Sequence, residues 1–324
     1  MLHRLRPLAS ALLILVLAAP ADAQSPLPNT AGASAASTLR RDDARVGSVA
    51  YRLARQGAPL CRERYPLTGL LFHHLAEYEA KDRPLMMSRY GLDRGPGILT
   101  VLPDTPAAKA GLLAGDTLLS VNGRAFPSPQ TIAAEPKRKI WRPMLEASEA
   151  LLEEALRAGG ARLTVLRGGA ELALMLDSEP GCTGRVRLAR STQMNAFSLR
   201  GYVVMTTAML GYVRNDDELA VVIGHELSHS ILGHQGVRDE EGLLAGLGIK
   251  PNAIWRREEA ADRLGLRLMA AAGYNLDSAI PFWERYLGKY DWFPQIFRSH
   301  PSRGARAKIA REEIAAIRRT AAPD

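Results

Sequence analysis

The chain has 324 residues, 47% of them hydrophobic and 23% charged, which excludes a disordered polypeptide and leaves one large domain or two ordinary ones. Its net charge of +8 is scattered, and the densest basic patch, SRGARAKIAREEIAAIRR (302–319), is interrupted by Glu312 and Glu313. A solvated basic surface accounts for this pattern, and no nucleic-acid partner is expected.

At the N-terminus, MLHRLRPLASALLILVLAAPADAQ carries Arg4 and Arg6, an apolar run from Leu8 to Ala19, and Ala21-Asp22-Ala23. This is the plan of a secretory signal cleaved before Gln24. The apolar run is shorter than the ~20 residues a spanning helix needs, so an uncleaved anchor is the weaker reading. No later run approaches spanning length. The expectation is an exported, periplasmic chain with no transmembrane segment once residues 1–23 are removed. Residues 24–37, rich in Pro, Ala, Ser and Gly, read as a flexible leader.

Val46, Val49, Ala50 and Leu53 recur at helical spacing, and residues 38–88 are expected to form a helical segment packed on the C-terminal part of the chain. Residues 65–86 show no clear period. His73 and His74 are adjacent there, would diverge by about 100° on a helix, and read as surface or packing histidines rather than ligands.

From Tyr90 the character changes. GPGILTVLPDTPAAKAGLLAGDTLLSVNGRAF (95–126) alternates short β-branched runs with turn residues, and Asn122-Gly123 is a hairpin signal. MLEASEALLEEALRAGG (144–160) is an amphipathic helix closed by glycines, and ARLTVLR and AELALML are strands joined by Gly168-Gly169. Thr105-Pro106-Ala107-Ala108 through Gly123 resembles the signature of bacterial protease-associated PDZ domains, over about 89–180. The resemblance implies a peptide, often a C-terminus, added as a strand. Gly95-Pro96-Gly97-Ile98 takes the place of the carboxylate loop, which puts the groove between residues 98–102 and the helix from Met144. A domain that only braces its neighbour is the competing reading. Cys61 precedes this region and Cys182 follows it. An oxidising compartment permits one disulfide between them, closing a loop worth ~4–5 kcal/mol on the entropy model; two separate thiols are the alternative.

Beyond Cys182, RGYVVMTTAML (200–210) reads as a strand running into a turn. Asn215 at an N-cap position with Glu218 three residues later reads as a capping box, the start of a helix running to about His234. It carries His225-Glu226-x-x-His229, the helical zinc motif: two imidazoles one turn apart on one face, with the glutamate as general base. His234, nine residues after His225, falls on the opposite face and reads as a structural or supporting group. A hydrolytic zinc site needs a third protein ligand and an open position. The candidate lies in RREEAADRLGLRL (256–268), on a helix expected over 253–272. Glu258 and Asp262 share a face there, one to complete the set and one to accept an imidazole N–H, while Glu259 points elsewhere. Further helices are expected from Ser278 and after Ser302.

NDDELAVVIGHELSH, REEAADRLGL and SHPSRGAR, in this order and spacing, resemble the zinc metallopeptidase family that includes the CAAX prenyl protease and HtpX. The resemblance implies one Zn²⁺ per chain on His225, His229 and Glu258, with Glu226 as base and Asp262 behind the ligands. It also implies that His300 and Arg306, with Pro301, lie near the transition state. Asn195, with Tyr202, Val203 and Val204, falls on the family's edge strand, where a protein or peptide substrate lies extended. The membrane-embedded members have several transmembrane helices; this chain has none after its signal, which sets prenylated substrates aside. The fold expected is α+β: a mostly helical gluzincin-type metallopeptidase domain with a small sheet over 181–324, and the β-rich PDZ-like domain N-terminal to it. The function expected is an exported zinc endopeptidase acting on envelope or misfolded proteins. A non-proteolytic peptide-binding adaptor with an inactive or latched zinc site is the rival reading, and the intact Glu226 argues against it.

Overall fold

The computed structural model describes residues 30–127, 141–199, 201–234, 251–286 and 302–321. The signal-like stretch 1–23, His300 and Pro301 lie outside them. Helix α1 (Thr30–Gln56) takes in residues read above as leader. Two short strands, β1 (Tyr65–Leu67) and β2 (Leu70–His73), follow it, then helix α2 (Arg83–Tyr90), strand β3 (Gly97–Val101), the one-turn α3 (Pro106–Lys109), and strands β4 (Thr117–Val121) and β5 (Arg124–Ala125). Next come α4 (Trp141–Arg157), the hairpin β6 (Ala161–Arg167) and β7 (Ala170–Leu176), and β8 (Glu179–Gly181). The remainder comprises β9 (Arg185–Ala189), β10 (Ala196–Leu199), β11 (Tyr202–Thr206), α5 (Thr207–Tyr212), α6 (Asp216–Ile231), α7 (Pro251–Ala271), α8 (Ala279–Arg285) and α9 (Arg303–Ala321).

A six-stranded antiparallel sheet, in the order β2-β3-β4-β6-β7 with β5 on β4, packs with α4 around Phe72, Ile98, Leu118, Leu145, Leu163 and Val165. Its turns follow the residue types. Asn122 and Gly123 have φ of 49° and 80°, and Gly168 and Gly169 have 56° and 86°, the left-handed pairs that fit a tight hairpin to twisted strands. Thr105 caps α3 by accepting from the Ala108 N–H, with Pro106 at the first helical position.

Two expectations about this sheet are corrected. Strand β2 was placed in a helical segment belonging to the C-terminal part of the chain, but it pairs with β3, Leu70 opposite Val101 and Phe72 opposite Ile98. Consequently β3, bonded to β2 on one side and β4 on the other, has no edge for a peptide, and the groove cannot lie along residues 98–102. The open edge is that of β2, next to α4.

The second body is mainly helical. Helix α1 buries Val46, Val49, Ala50 and Leu53 against α6, α7 and β9, so the N-terminal helix and the C-terminal helices share one core. A three-stranded sheet, β10-β11-β9, lies on α6, with β11 antiparallel to β10 and parallel to β9. Residues 207–212, expected as a turn, form the short α5, capped by the Thr206 hydroxyl. Among the described residues no helix is long and apolar enough to cross a membrane.

Between the bodies the chain passes through the β1–β8 ribbon, in which Tyr65 faces Gly181. Beside it Cys61 and Cys182 form a disulfide, their Cα atoms 5.7 Å apart. The β-rich domain is thus an insertion between α1 and β9.

Candidate metal centre

Helix α6 starts cleanly. The Asn215 side chain accepts from the Glu218 N–H, and Asp216, Asp217 and Glu218 crowd the first turn, where the helix dipole favours negative charge. The reciprocal half of the expected capping box is displaced by one residue: the Glu218 carboxylate accepts from Arg214 N–H and pairs with Arg285. Residues 218–228 are all buried, so α6 is a central helix, and polar groups on it must find partners inside the protein.

Two of them find each other. The Nε2 atoms of His225 and His229 are 3.2 Å apart. From α7, Glu258 brings Oε2 to 3.4 Å from His225 Nε2 and Oε1 to 3.4 Å from His229 Nε2. Ligands about 2.0–2.1 Å from a tetrahedral zinc stand about 3.3 Å from one another, and each of these separations, the last two to different oxygens of Glu258, is close to that value. Among the described residues this is the one group of His, Cys, Asp and Glu so disposed.

Glu258 reaches the histidines because α6 and α7 touch backbone to backbone. A Cβ on Gly265 would stand 3.0 Å from Gly224 C and from His225 N, and one on Gly224 would stand 3.2 Å from Gly265 O. Neither glycine was singled out from sequence, though Gly224 immediately precedes the motif.

Behind the ligand atoms lies a buried ionic pair. Asp262 Oδ1 is 2.9 Å from His225 Nδ1, and Arg306 from α9 donates through Nε to Asp262 Oδ2 at 2.9 Å and through Nη2 to Oδ1. Arg306 Nη2 also lies 2.8 Å from His225 Nδ1. An Nδ1 that donates to Asp262 cannot accept from Arg306, and the assignment that leaves Nε2 unprotonated for a metal gives the proton on Nδ1 to Asp262. The guanidinium stacks on Trp283 at 3.4 Å. Burial pushes Asp262 up, but Arg306 and His225 outweigh it and hold the carboxyl below its ordinary range. Burial and Arg306 push His225 down, yet Asp262 and Glu258 prevail and raise it to about 9. The pocket favours positive charge.

Other expected residues fall as follows. Glu226 is buried on α6 beside His225. Glu259 turns away to Arg263. Gly233, at φ 68°, ends the helix and folds His234 back until its Nδ1 is 3.0 Å from His229 Nδ1, a supporting position. Arg306 was expected near the transition state, but it sits behind His225, on the face opposite Nε2. Tyr202, Val203 and Val204 were expected at a substrate edge, but β11 is the middle strand, bonded on both sides. Asn195 is tied to Thr206 by three hydrogen bonds through its backbone N–H and carbonyl. Among the described residues the strand paired on one side only and packed on α6 is β10, joined to it by Ser198 Oγ and Ser230 Oγ at 2.9 Å.

A two-histidine, one-glutamate set on adjoining helices, with a carboxylate behind one imidazole, is a donor set that could hold a metal ion and is of the kind zinc hydrolases use. Comparison with known proteins agrees: residues 176–250 and 252–314 match Peptidase family M48, and residues 97–134 match a PDZ domain. The chain is thus similar to M48 metallopeptidases over residues 176–314 and to PDZ domains over residues 97–134. It is similar to the mitochondrial metalloendopeptidase OMA1 of Arabidopsis thaliana (29% identity over 152 residues, 40% of this chain and 31% of that one). It is similar also to the mitochondrial metalloendopeptidase OMA1 of Bos taurus (27% over 161 residues, 38% and 31%). The chain thus spans about a third of the length of these curated relatives. A crystal structure of the HtrA3 PDZ domain bound to a phage-derived ligand matches at 19% identity and a TM-score of 0.26, covering 36% of this chain and 88% of that one.

Proposed function

We propose that the chain is an exported zinc endopeptidase of the gluzincin type that hydrolyses peptide bonds in misfolded or envelope proteins. The observation that carries the reading is the convergence of His225, His229 and Glu258, the two Nε2 atoms 3.2 Å apart and each 3.4 Å from one oxygen of the Glu258 carboxylate. His225 and His229 would hold the metal through Nε2 and Glu258 through its carboxylate. When bound, zinc would supply Lewis acidity, lowering the pKa of water toward ~7 and polarising the scissile carbonyl. Glu226 takes the proton of the attacking water on its carboxylate and returns it to the leaving amine. Asp262 fixes the His225 tautomer by accepting from Nδ1, and Arg306 holds Asp262 in place. His300 is proposed as a donor to the developing oxyanion. The substrate would lie extended along the outer edge of β10, recognised through backbone hydrogen bonds, which suits unfolded chains of varied sequence. Export is supported by the signal-like N-terminus and by the disulfide, which belongs to oxidising compartments.

Casein cleavage by the parent protein, a Glu226→Gln variant and a chelator-treated sample tests this. Loss of the base is expected to lower the rate roughly 10²–10⁴-fold while bound zinc, measured by elemental analysis, is retained. Chelation is expected to abolish cleavage, and added zinc to restore it. Equal activity in all three samples would overturn the proposal.

A further inference from the structure

The edge of β2 and the flank of α4 form a groove of the kind to which a peptide adds as a further strand. Such addition requires unoccupied backbone groups on the strand and an unobstructed helix face. Here the peptidase sheet engages one backbone carbonyl of the strand and the acidic residues of the helix face. Of the groove a cavity of about 120 Å³ remains, lined by Leu70, Leu71, Leu152 and Leu156 and walled by Arg185 and Arg187.

Arg187 Nη1 donates to the Phe72 carbonyl at the open edge of β2. Its Nη2 pairs with Glu149 of α4 at 2.7 Å. Arg185 pairs with Glu153 at 2.7 Å and approaches Glu149 at 3.4 Å, and the Tyr202 hydroxyl also donates to Glu149. Glu149 and Glu153 are four residues apart and share one face of α4. In the parallel pairing Arg185 stands beside Tyr202 and Arg187 beside Val204, so both arginines and the tyrosine project from one face of the peptidase sheet into the groove. Arg187 Nε, although buried, has no hydrogen-bond partner among the described residues, so the guanidinium is held by two of its three nitrogens.

We propose that Arg187 of the peptidase sheet closes the peptide groove of the PDZ domain, and that the segment able to open it is an extended peptide carrying a basic side chain. A backbone N–H of that peptide replaces Arg187 at the Phe72 carbonyl, and a Lys or Arg of the peptide replaces it at Glu149. An apolar peptide would meet the first requirement and strand the Glu149 carboxylate, which is costly in a mostly buried position. The closed state lowers the apparent affinity for any peptide by the fraction of grooves that are open.

The test uses the full chain carrying Glu226→Gln, so that binding is read without hydrolysis and a failure here is separate from a failure of the peptidase reading. The probes are two dye-labelled degenerate decapeptide pools with free C-termini, one containing Lys and Arg and one lacking both, followed by fluorescence anisotropy. Adding Arg187→Ala is expected to tighten binding of the basic pool at least about tenfold, as the closed population disappears. The basic pool is expected to bind more tightly than the neutral pool, and Glu149→Gln to remove that preference. Arg187→Lys keeps the charge beside Glu149 without the two-armed reach; it is expected to give a smaller gain and serves if Arg187→Ala does not fold. Equal affinities with and without Arg187, no preference for basic peptides, or no binding to any form would overturn the proposal.

Discussion

At His225 the two ring nitrogens have separate tasks. Nε2 faces His229 and Glu258, while Nδ1 faces Asp262. The spacing of the histidines was legible in the sequence because i and i+4 on a helix are neighbours whatever the helix packs against. The place of Arg306 was not, because it depends on how α9 docks on α7. His73 and His74 illustrate the same limit. They were read as surface or packing residues, and both are fully enclosed, His73 bonded to the Tyr78 hydroxyl at 2.7 Å and His74 accepting from the Ala76 N–H. Burial, with Arg40 and Arg187 nearby, lowers His73 to about 3, and burial lowers His74 to about 4. Below the ordinary histidine value of 6.5 the unfolded chain therefore binds protons that the folded chain refuses, and stability falls as pH drops from 6.5 toward 4. Each histidine contributes a slope of up to about 1.4 kcal/mol per pH unit. Urea unfolding at pH 7, 6 and 5 should show this decline, and a His73→Phe variant should show a shallower one. An unchanged slope would mean that His73 takes up its proton while folded.

Among the elements, the contact between α6 and α7 governs the metal set. Gly265→Ala places a methyl group against backbone atoms of Gly224 and His225, which cannot rotate aside. The helices must separate by a few tenths of an ångström, and Glu258 moves with α7. We expect a loss in stability of about 1–3 kcal/mol, seen as a lower Tm, together with weaker zinc retention in a chelator competition. The strands teach a complementary lesson. Alternation of residue types identified β3, β4, β6 and β7, but it carries no record of which strand is whose neighbour. Hence β3 was taken for an edge, and so was β11. In the second case the apolar run fits the burial of Tyr202, Val203, Met205 and Thr206, but packing on the faces of a strand does not say whether its edges are paired. The strand β2 gave less warning, since Pro66 and Gly69 break the run around it.

For the molecule as a whole, the insertion of one domain into another sets the mechanics. Helix α1 belongs to the peptidase core although more than a hundred residues separate it from β9, and the Cys61–Cys182 bridge spans 121 positions. Replacing both cysteines with serine should lower stability by about 2–5 kcal/mol, measured by the urea midpoint, with hydrolysis retained at temperatures where the variant stays folded. An unchanged midpoint would show that the bridge adds nothing to the ties already made by the β1–β8 ribbon and the Arg185 and Arg187 contacts. The helices around residues 216–231 and 251–271 were legible from period and capping residues; the arginine contacts across the junction were not, because they join residues that only the assembled fold brings together.

The ribbon has one more consequence. Tyr65 and Gly181 are cross-strand partners, roughly 5 Å apart at Cα, so a spacer of three or four residues could bypass everything between them. Departure and return through a single doorway make the β-rich module exchangeable: a different module could be spliced at the same threshold, and the helical half would keep its own wiring.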